Sequence, residues 1–213
     1  LTFVFFTASM FYQSTDFRAV AAATAVAAVH VLIMVLSKDL GGALIFFTTY
    51  LLMLFVATSN WFYLGLGTLL GTGAAVGAYQ MFAHVRRRVL AWSNPWADID
   101  NKGYQITQSL FAIGTGGWFG MGLCQGMPGK IPVVEKDFIF AAVSEEMGGI
   151  FAICVLLICL GCFIQFMMIA ASMQAVFYKL IAFGLGIEYI SQVFLTVGGV
   201  TKFIPSTGVT LPF

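Results

Sequence analysis

The sequence predicts an all-α polytopic transmembrane helix bundle, and three observations carry that prediction. Hydrophobic residues make up 60% of the 213 and charged ones only 9%, a balance foreign to ordinary soluble domains. Several uncharged stretches reach the roughly 20 residues that a helix needs to cross a hydrocarbon core of about 30 Å. The charges that exist are segregated, so the net charge of +1 says little about partners.

Taken in order, residues 1–12 are apolar but too short to span. They carry neither the charged lead nor the small-residue cleavage pattern of a signal peptide. Spans are predicted at 17–36, 40–58, 61–83, 150–171 and 180–200. With a partial span at 1–12 and no polar tail after Leu211-Pro212-Phe213, a fragment cut at both ends is expected. Gly67-x-x-x-Gly71 and Gly73-x-x-x-Gly77 lie in the 61–83 span, where small residues let helix backbones approach closely. Residues 137–173 are too long for one span. Since 150–171 already makes a full one, 137–149 is predicted as a half-polar lead-in helix at the interface. Along that helix Glu145 lies about 12 Å beyond Asp137. Ser144 falls nearly under Asp137, and Glu146 on the opposite side.

Residues 84–137 form the one long polar interval. They hold six of the ten Lys and Arg, opening on Arg86-Arg87-Arg88 and closing on Lys136-Asp137. Alternating helix direction places this interval on the same membrane face as Lys38-Asp39. The turns at 13–18, 59–60 and 171–179 take the other face. A positive-inside reading puts the interval in the cytoplasm, although three of its six cations form one cluster and four acids share it. A basic loop held between membrane helices suits chemistry on an anionic, lipid-linked substrate.

Asp137 is the first candidate for that chemistry. It ends the basic interval and opens an apolar helix, so it sits where water meets lipid. A carboxylate there can serve as a general base tuned by partial burial among cations. The same position suits an N-terminal helix cap, and the two roles are compatible. Glu145 and Glu146 are adjacent acids near a membrane, either interfacial or with one buried for function. Glu188 is an acid within the last span, expected to pair inside the bundle, with Lys202 or a helix outside this sequence. Arg86, Arg87 and Arg88 suit a diphosphate through their planar guanidinium groups, or anchor a helix end to lipid headgroups. Lys130 and Lys136 extend the positive lining.

The remaining motifs are weaker. The glycines from Gly114 to Gly129 lack a G-x-G-x-x-G register and a preceding strand, so a close-packed or re-entrant loop is predicted rather than a phosphate cradle. Cys159-x-x-Cys162 has redox or metal spacing, yet inside a span with no nearby His it reads as apolar filler, as does Cys154. Cys124 stands alone. His30 and His84 are isolated, so no metal site is expected. No Ser-His-Asp arrangement or nucleic-acid motif is present.

The ordered set of motifs resembles the SEDS family (shape, elongation, division and sporulation proteins typified by FtsW, RodA and SpoVE). Asp39-Leu40-Gly41 is similar to its helix-heading Asp-Leu-Gly. Arg88, Asn94-Pro95-Trp96-Ala97-Asp98, Gly103-Tyr104-Gln105 and Gln108-Ser109 resemble the opening of its large external loop. Ala112-Ile113-Gly114, Gly116-Gly117 and Gly120-Met121-Gly122-Leu123 resemble that loop's middle. Pro132, Asp137-Phe138-Ile139-Phe140-Ala141 and Glu145-Glu146-Met147-Gly148 resemble its end. Pro205-x-x-Gly208-x-x-Leu211-Pro212-Phe213 resembles a motif that in the family continues into Ser-Tyr-Gly-Gly-Ser-Ser. The sequence departs from the family at Lys38, where Pro is frequent, at Val133-Val134-Glu135-Lys136, where Glu-Ala-His-Thr is commoner, and at Thr196, where Asn is frequent.

The resemblance implies a ten-helix peptidoglycan glycosyltransferase of the bacterial plasma membrane, of which this chain holds roughly the fourth to ninth spans. Such an enzyme polymerises lipid II for division, elongation or sporulation. It works beside a class B penicillin-binding protein, the transpeptidase, and other divisome or elongasome membrane proteins, with no nucleic acid. The family's essential loop carboxylate falls on Asp137 as catalytic residue, and Arg88, Lys130, Gln105, Gln108, Glu145 and Glu146 are the expected substrate-binding set. The resemblance implies that the 84–137 loop lies outside the cytoplasm, against the positive-inside reading, and the external placement is the one expected. No cofactor is implied, with a divalent cation left open. Two other classes fit the composition: a lipid-linked precursor flippase or transporter relying on Glu188, and a non-catalytic division scaffold.

Overall fold

The computed structural model describes residues 1–99, 101 and 103–212. Asp100 and Lys102 of the basic interval, and Phe213 of the last family-like motif, lie outside the described residues. Among the described residues there are eight α-helices and no strand. They are α1 (Thr2–Gln13), α2 (Phe17–Leu36), α3 (Leu40–Thr58), α4 (Trp61–Met81), α5 (Ala83–Ser93), α6 (Tyr104–Gly116), α7 (Ile139–Ser172) and α8 (Val176–Val200). Five of them, α2, α3, α4, α7 and α8, are long and apolar enough to cross a membrane. The predicted spans are all found, with α8 starting at Val176 rather than 180. The span predicted at 61–83 stops at Met81, because Phe82 takes an extended conformation (φ −106°, ψ 113°) before α5 begins.

The chain divides into two compact units, Leu1–Val76 with Leu160–Ser191, and Gly77–Cys159 with Gln192–Phe213. The first is scaffold. Phe3, Val4, Phe11, Tyr50, Met53 and Leu180 form its buried centre, and the Tyr50 and Thr24 hydroxyls share a 2.7 Å hydrogen bond that ties α3 to α2. Turn chemistry fixes the helix ends. Asp39 caps α3 by accepting from the Gly42 N–H at 2.8 Å, Ser59 closes it in the left-handed region (φ 52°), and Asn60 accepts from the Phe62 N–H at 2.9 Å to start α4. Of the two glycine pairs on α4, the first meets a neighbour: Gly67 faces Leu51, Gly71 faces Phe47, and Gly73 and Gly77 face open space. Glu188 has its carboxylate 3.6 Å from the backbone nitrogen of Leu1.

The second unit carries the polar interval, and this interval is folded rather than open. Two short helices, α5 and α6, occupy much of it, joined through a 3-10 turn at Pro95–Asp98. Pro95 is buried, and a Cβ at Gly103 would run into the Pro95 carbonyl oxygen, so only glycine lets α6 start against that turn.

The lead-in segment and the span beyond it form one element, α7, interrupted at Gly148 (φ 86°, ψ 168°). A continuous helix would pair the N–H groups of Gly149 and Ile150 with the carbonyls of Glu145 and Glu146. Instead they donate to Gly117 and Trp118 at 2.8 and 3.2 Å, while the Glu145 and Glu146 carbonyls accept from Met121 and Gly122 at 2.9 and 3.0 Å. Residues 117–122 are thus spliced into the interruption, four bonds replacing two. This is the close-packed glycine loop that the sequence predicts. Gly116 and Gly120 permit it, since a Cβ on either would enter the α7 backbone.

Candidate functional site

Asp137 is held from both sides of its own position. Phe138, 1% exposed, anchors the start of α7, a burial that stabilises by about 1.5–3 kcal/mol. The Asp137 N–H donates to the Val133 carbonyl at 3.3 Å, and Val133 itself has φ 59°, an uncommon conformation for a β-branched residue. Among the described residues no donor is hydrogen-bonded to the carboxylate, and α7 begins two residues further on, at Ile139. It is half-buried. Burial raises its pKa above the ordinary carboxylate value, and the opposing charges of Arg88 and Lys136 only partly counter that.

Arg88 reaches this point from α5, donating from Nη1 to the Thr207 carbonyl at 2.8 Å. The two other arginines of the cluster do not join it. Arg86 donates to the Gln80 carbonyl at 3.0 Å and lies over the Tyr79 ring, and Arg87 is exposed. Beside Arg88 and Asp137 runs a strap, residues 201–212, which folds back along α8. Backbone bonds from Thr201, Lys202, Phe203 and Ile204 to the end of α8 start it, and side chains hold it further on: Thr196 Oγ1 donates to the Val209 carbonyl at 2.8 Å, Trp92 Nε1 to the Lys202 carbonyl at 3.0 Å, and Arg88 to Thr207. Gly208 (φ 79°) brings the strap close, since a Cβ there would stand 3.5 Å from Arg88 Nη2 and 3.7 Å from Asp137 Oδ2. The cleft that Asp137 shares with Thr196, Thr207 and Gly208 has no room for a water molecule.

Three other sequence candidates meet elsewhere in the same unit. Gln108, Lys130 and Glu145 line a cavity of about 240 Å³ with Gln125, Thr115 and Phe111. Glu145 is 7% exposed. One of its oxygens accepts from the Met127 N–H at 3.2 Å, and the other, Oε2, is buried with no hydrogen-bond partner. Gln105 is exposed and Glu146 partly buried, and neither lines the cavity or the Asp137 cleft. Among the described residues no group of three or more His, Cys, Asp or Glu is placed to hold a metal ion. The strap residues Thr207 and Gly208, and Gln125 of the cavity, were not singled out as site residues from sequence. Gly208 was signalled only by its place in the Pro205-x-x-Gly208 motif, and Thr196 by its departure from Asn.

A family model described as "Cell cycle protein", covering FtsW, RodA and SpoVE, matches residues 1–213. Among curated relatives, the peptidoglycan glycosyltransferase RodA of Mycobacterium tuberculosis (strain ATCC 25618 / H37Rv) is 41% identical over 181 residues, 85% of this chain and 39% of that protein. The stage V sporulation protein E of Bacillus subtilis (strain 168) is 36% identical over 187 residues, 85% of this chain and 50% of its own. A probable peptidoglycan glycosyltransferase FtsW of Saccharophagus degradans (strain 2-40 / ATCC 43961 / DSM 17024) is 35% identical over 199 residues, again 50% of its length. The chain thus spans half or less of these relatives. A solved structure described as "Structural coordination of polymerization and crosslinking by a peptidoglycan synthase complex" shares the fold. Its TM-score is 0.77 at 21% identity, over 97% of this chain and 59% of that one. Five helices long and apolar enough to cross a membrane and a family match over the full sequence make this a membrane protein, and the chain belongs to the FtsW/RodA/SpoVE family.

Proposed function

We propose that this chain is the central part of a lipid II polymerase, a peptidoglycan glycosyltransferase, with Asp137 as its general base. The observation that carries the reading is Asp137 itself: half-buried, its carboxylate without a hydrogen-bond donor among the described residues, raised in pKa and accompanied by Arg88. In this reading Asp137 takes the proton from the sugar 4-hydroxyl of one lipid-linked disaccharide. The freed oxygen attacks the anomeric carbon of a second, a glycosidic bond forms, and the bond to undecaprenyl diphosphate breaks. Arg88, with donors beyond the one given to Thr207, stabilises the departing diphosphate. Because the cleft is closed, the 201–212 strap has to move aside to admit sugar. The site faces the outside of the bacterial plasma membrane, and a class B penicillin-binding protein is the partner. The names of the relatives support glycosyl transfer, and the synthase complex described for the solved neighbour is consistent with such a partner.

The test is direct. Full-length protein reconstituted with lipid II is expected to yield glycan polymer, whereas transbilayer movement of the lipid without polymer, sensitive to Glu188 and indifferent to Asp137, would replace this reading with transport. Lys136→Gln supplies a second check. A base works only when deprotonated, so the rate rises with pH through the Asp137 pKa. Lys136 lowers that pKa, and its removal is therefore expected to move the acid limb of the pH–rate profile to higher pH.

A further inference from the structure

We propose that the cavity headed by Glu145 is a saccharide subsite, separate from the proton-transfer cleft, which holds one N-acetylated sugar of the glycan. The proposal rests on the glycosyl-transfer reading above. Its starting point is the buried, unpartnered Oε2 of Glu145. Buried polar atoms are nearly always hydrogen-bonded, and leaving a carboxylate oxygen without a donor is costly. Glu145 lines the cavity, and a rotation of its side chain turns the orphaned oxygen toward it, where the ligand brings the missing donor.

The lining decides among ligand classes. A divalent cation would want several hard oxygen ligands, but Glu145 is the one acid in this cavity, and Lys130 shares the wall. A phosphate would meet the Glu145 carboxylate. A free amine would gain from Glu145 and lose to Lys130. A neutral group rich in O–H and N–H meets none of these penalties. Its hydroxyls or acetamido N–H donate to Glu145, while the amides of Gln108 and Gln125 each offer a donor and an acceptor. Phe111 and Met127 give the C–H face of a ring an apolar wall. Size agrees. A volume of about 240 Å³ equals roughly eight waters at ~30 Å³ each, which suits one pyranose and is smaller than a drug-sized pocket.

Position agrees as well. Glu145 lies six residues into α7, about 9 Å of helical rise beyond Ile139, and Asp137 precedes that helix by two residues. A sugar held there is one or two units from the bond being made, so the subsite fixes the glycan while its end reacts.

The experiment uses the full-length protein in nanodiscs. In a D137N background, chosen to slow turnover, binding of a soluble β-1,4-linked N-acetylhexosamine disaccharide is measured by saturation-transfer NMR. Glu145→Gln keeps the size of the side chain and the acceptor for Met127 but removes the charge. It is expected to weaken this binding about tenfold. In the otherwise wild-type enzyme it is expected to raise KM for the lipid-linked disaccharide by a similar factor, with a smaller change in kcat. Gln108→Leu, on α6, is expected to act in the same direction and serves if E145Q fails to fold. Unchanged binding and KM in both variants, with D137N still inactive, would overturn the subsite and leave the glycosyl-transfer reading standing. Normal turnover by D137N would instead remove that reading, and the subsite with it. Displacement of the disaccharide by a simple alkylammonium ion would assign the cavity to an amine and likewise overturn the proposal.

Discussion

Asp137→Asn is expected to lower glycan polymerisation by the full-length protein by about 10²- to 10⁴-fold, the usual contribution of a general base. The effect falls on chemistry rather than folding. Among the described residues no donor is hydrogen-bonded to the carboxylate, and α7 starts two residues beyond it, while the neighbouring anchor, Phe138, is untouched. Thermal stability of the variant should stay close to wild type, and a kcat loss at preserved stability is the signature to measure. The pH profile adds a second readout. Burial holds Asp137 above the ordinary carboxylate value, so the wild-type rate climbs with pH through that raised pKa, and the limb should vanish in the variant. Asp137→Glu keeps the carboxyl but moves it by a methylene, and is expected to recover part of the rate. Wild-type polymer yield from D137N would end the assignment.

The largest effect on folding is expected at Gly148. Its φ of 86° and ψ of 168° lie in a region open essentially to glycine alone, where another residue costs about 1–3 kcal/mol. An added Cβ would also strike the Gly120 N–H and the Trp118 carbonyl, dislodging the 117–122 segment, whose four hydrogen bonds with α7 are worth about 0.5–1.5 kcal/mol each. Against a typical total stability of about 5–15 kcal/mol, Gly148→Ala should leave little folded protein. Gly114→Ala is the control, since that glycine lies within α6 with nothing near its missing Cβ, and the change should be neutral or favourable. Size-exclusion profiles and melting temperatures of the two variants test this. A wild-type Tm for G148A would refute the splice as a structural requirement.

Much of the helical scaffold was legible from hydropathy, because a run of about 20 apolar residues has few alternatives. Span edges were legible where capping residues mark them, as at Asp39 and Ser59. The interior of the 84–137 interval was not. Helices α5 and α6 are short, with polar and apolar residues mixed, so averaging over a span-sized window hides them. The excess length of residues 137–173 pointed to an interrupted α7, but the position of the break depends on Gly148 meeting residues 117–122, a contact between segments about 30 residues apart. The candidate residues were found by type and motif. Their sorting into an Arg88–Asp137 cleft and a Gln108–Lys130–Glu145 cavity depends on tertiary packing, and so does the orphaned oxygen of Glu145. The strap over Asp137 was hidden for the same reason, since Thr196 and Gly208 matter through backbone contacts that no side-chain pattern announces.

The splice at Gly148 bears on where this site can operate. A broken helix normally needs hydration, because hydrocarbon offers nothing to bare amide and carbonyl groups. Here the peptide groups on both sides of the bend are already matched by the glycine segment. The bend can therefore sink to the depth of the acyl chains while staying dry, and Glu145 can stand ready for a sugar at a level where bulk solvent is scarce.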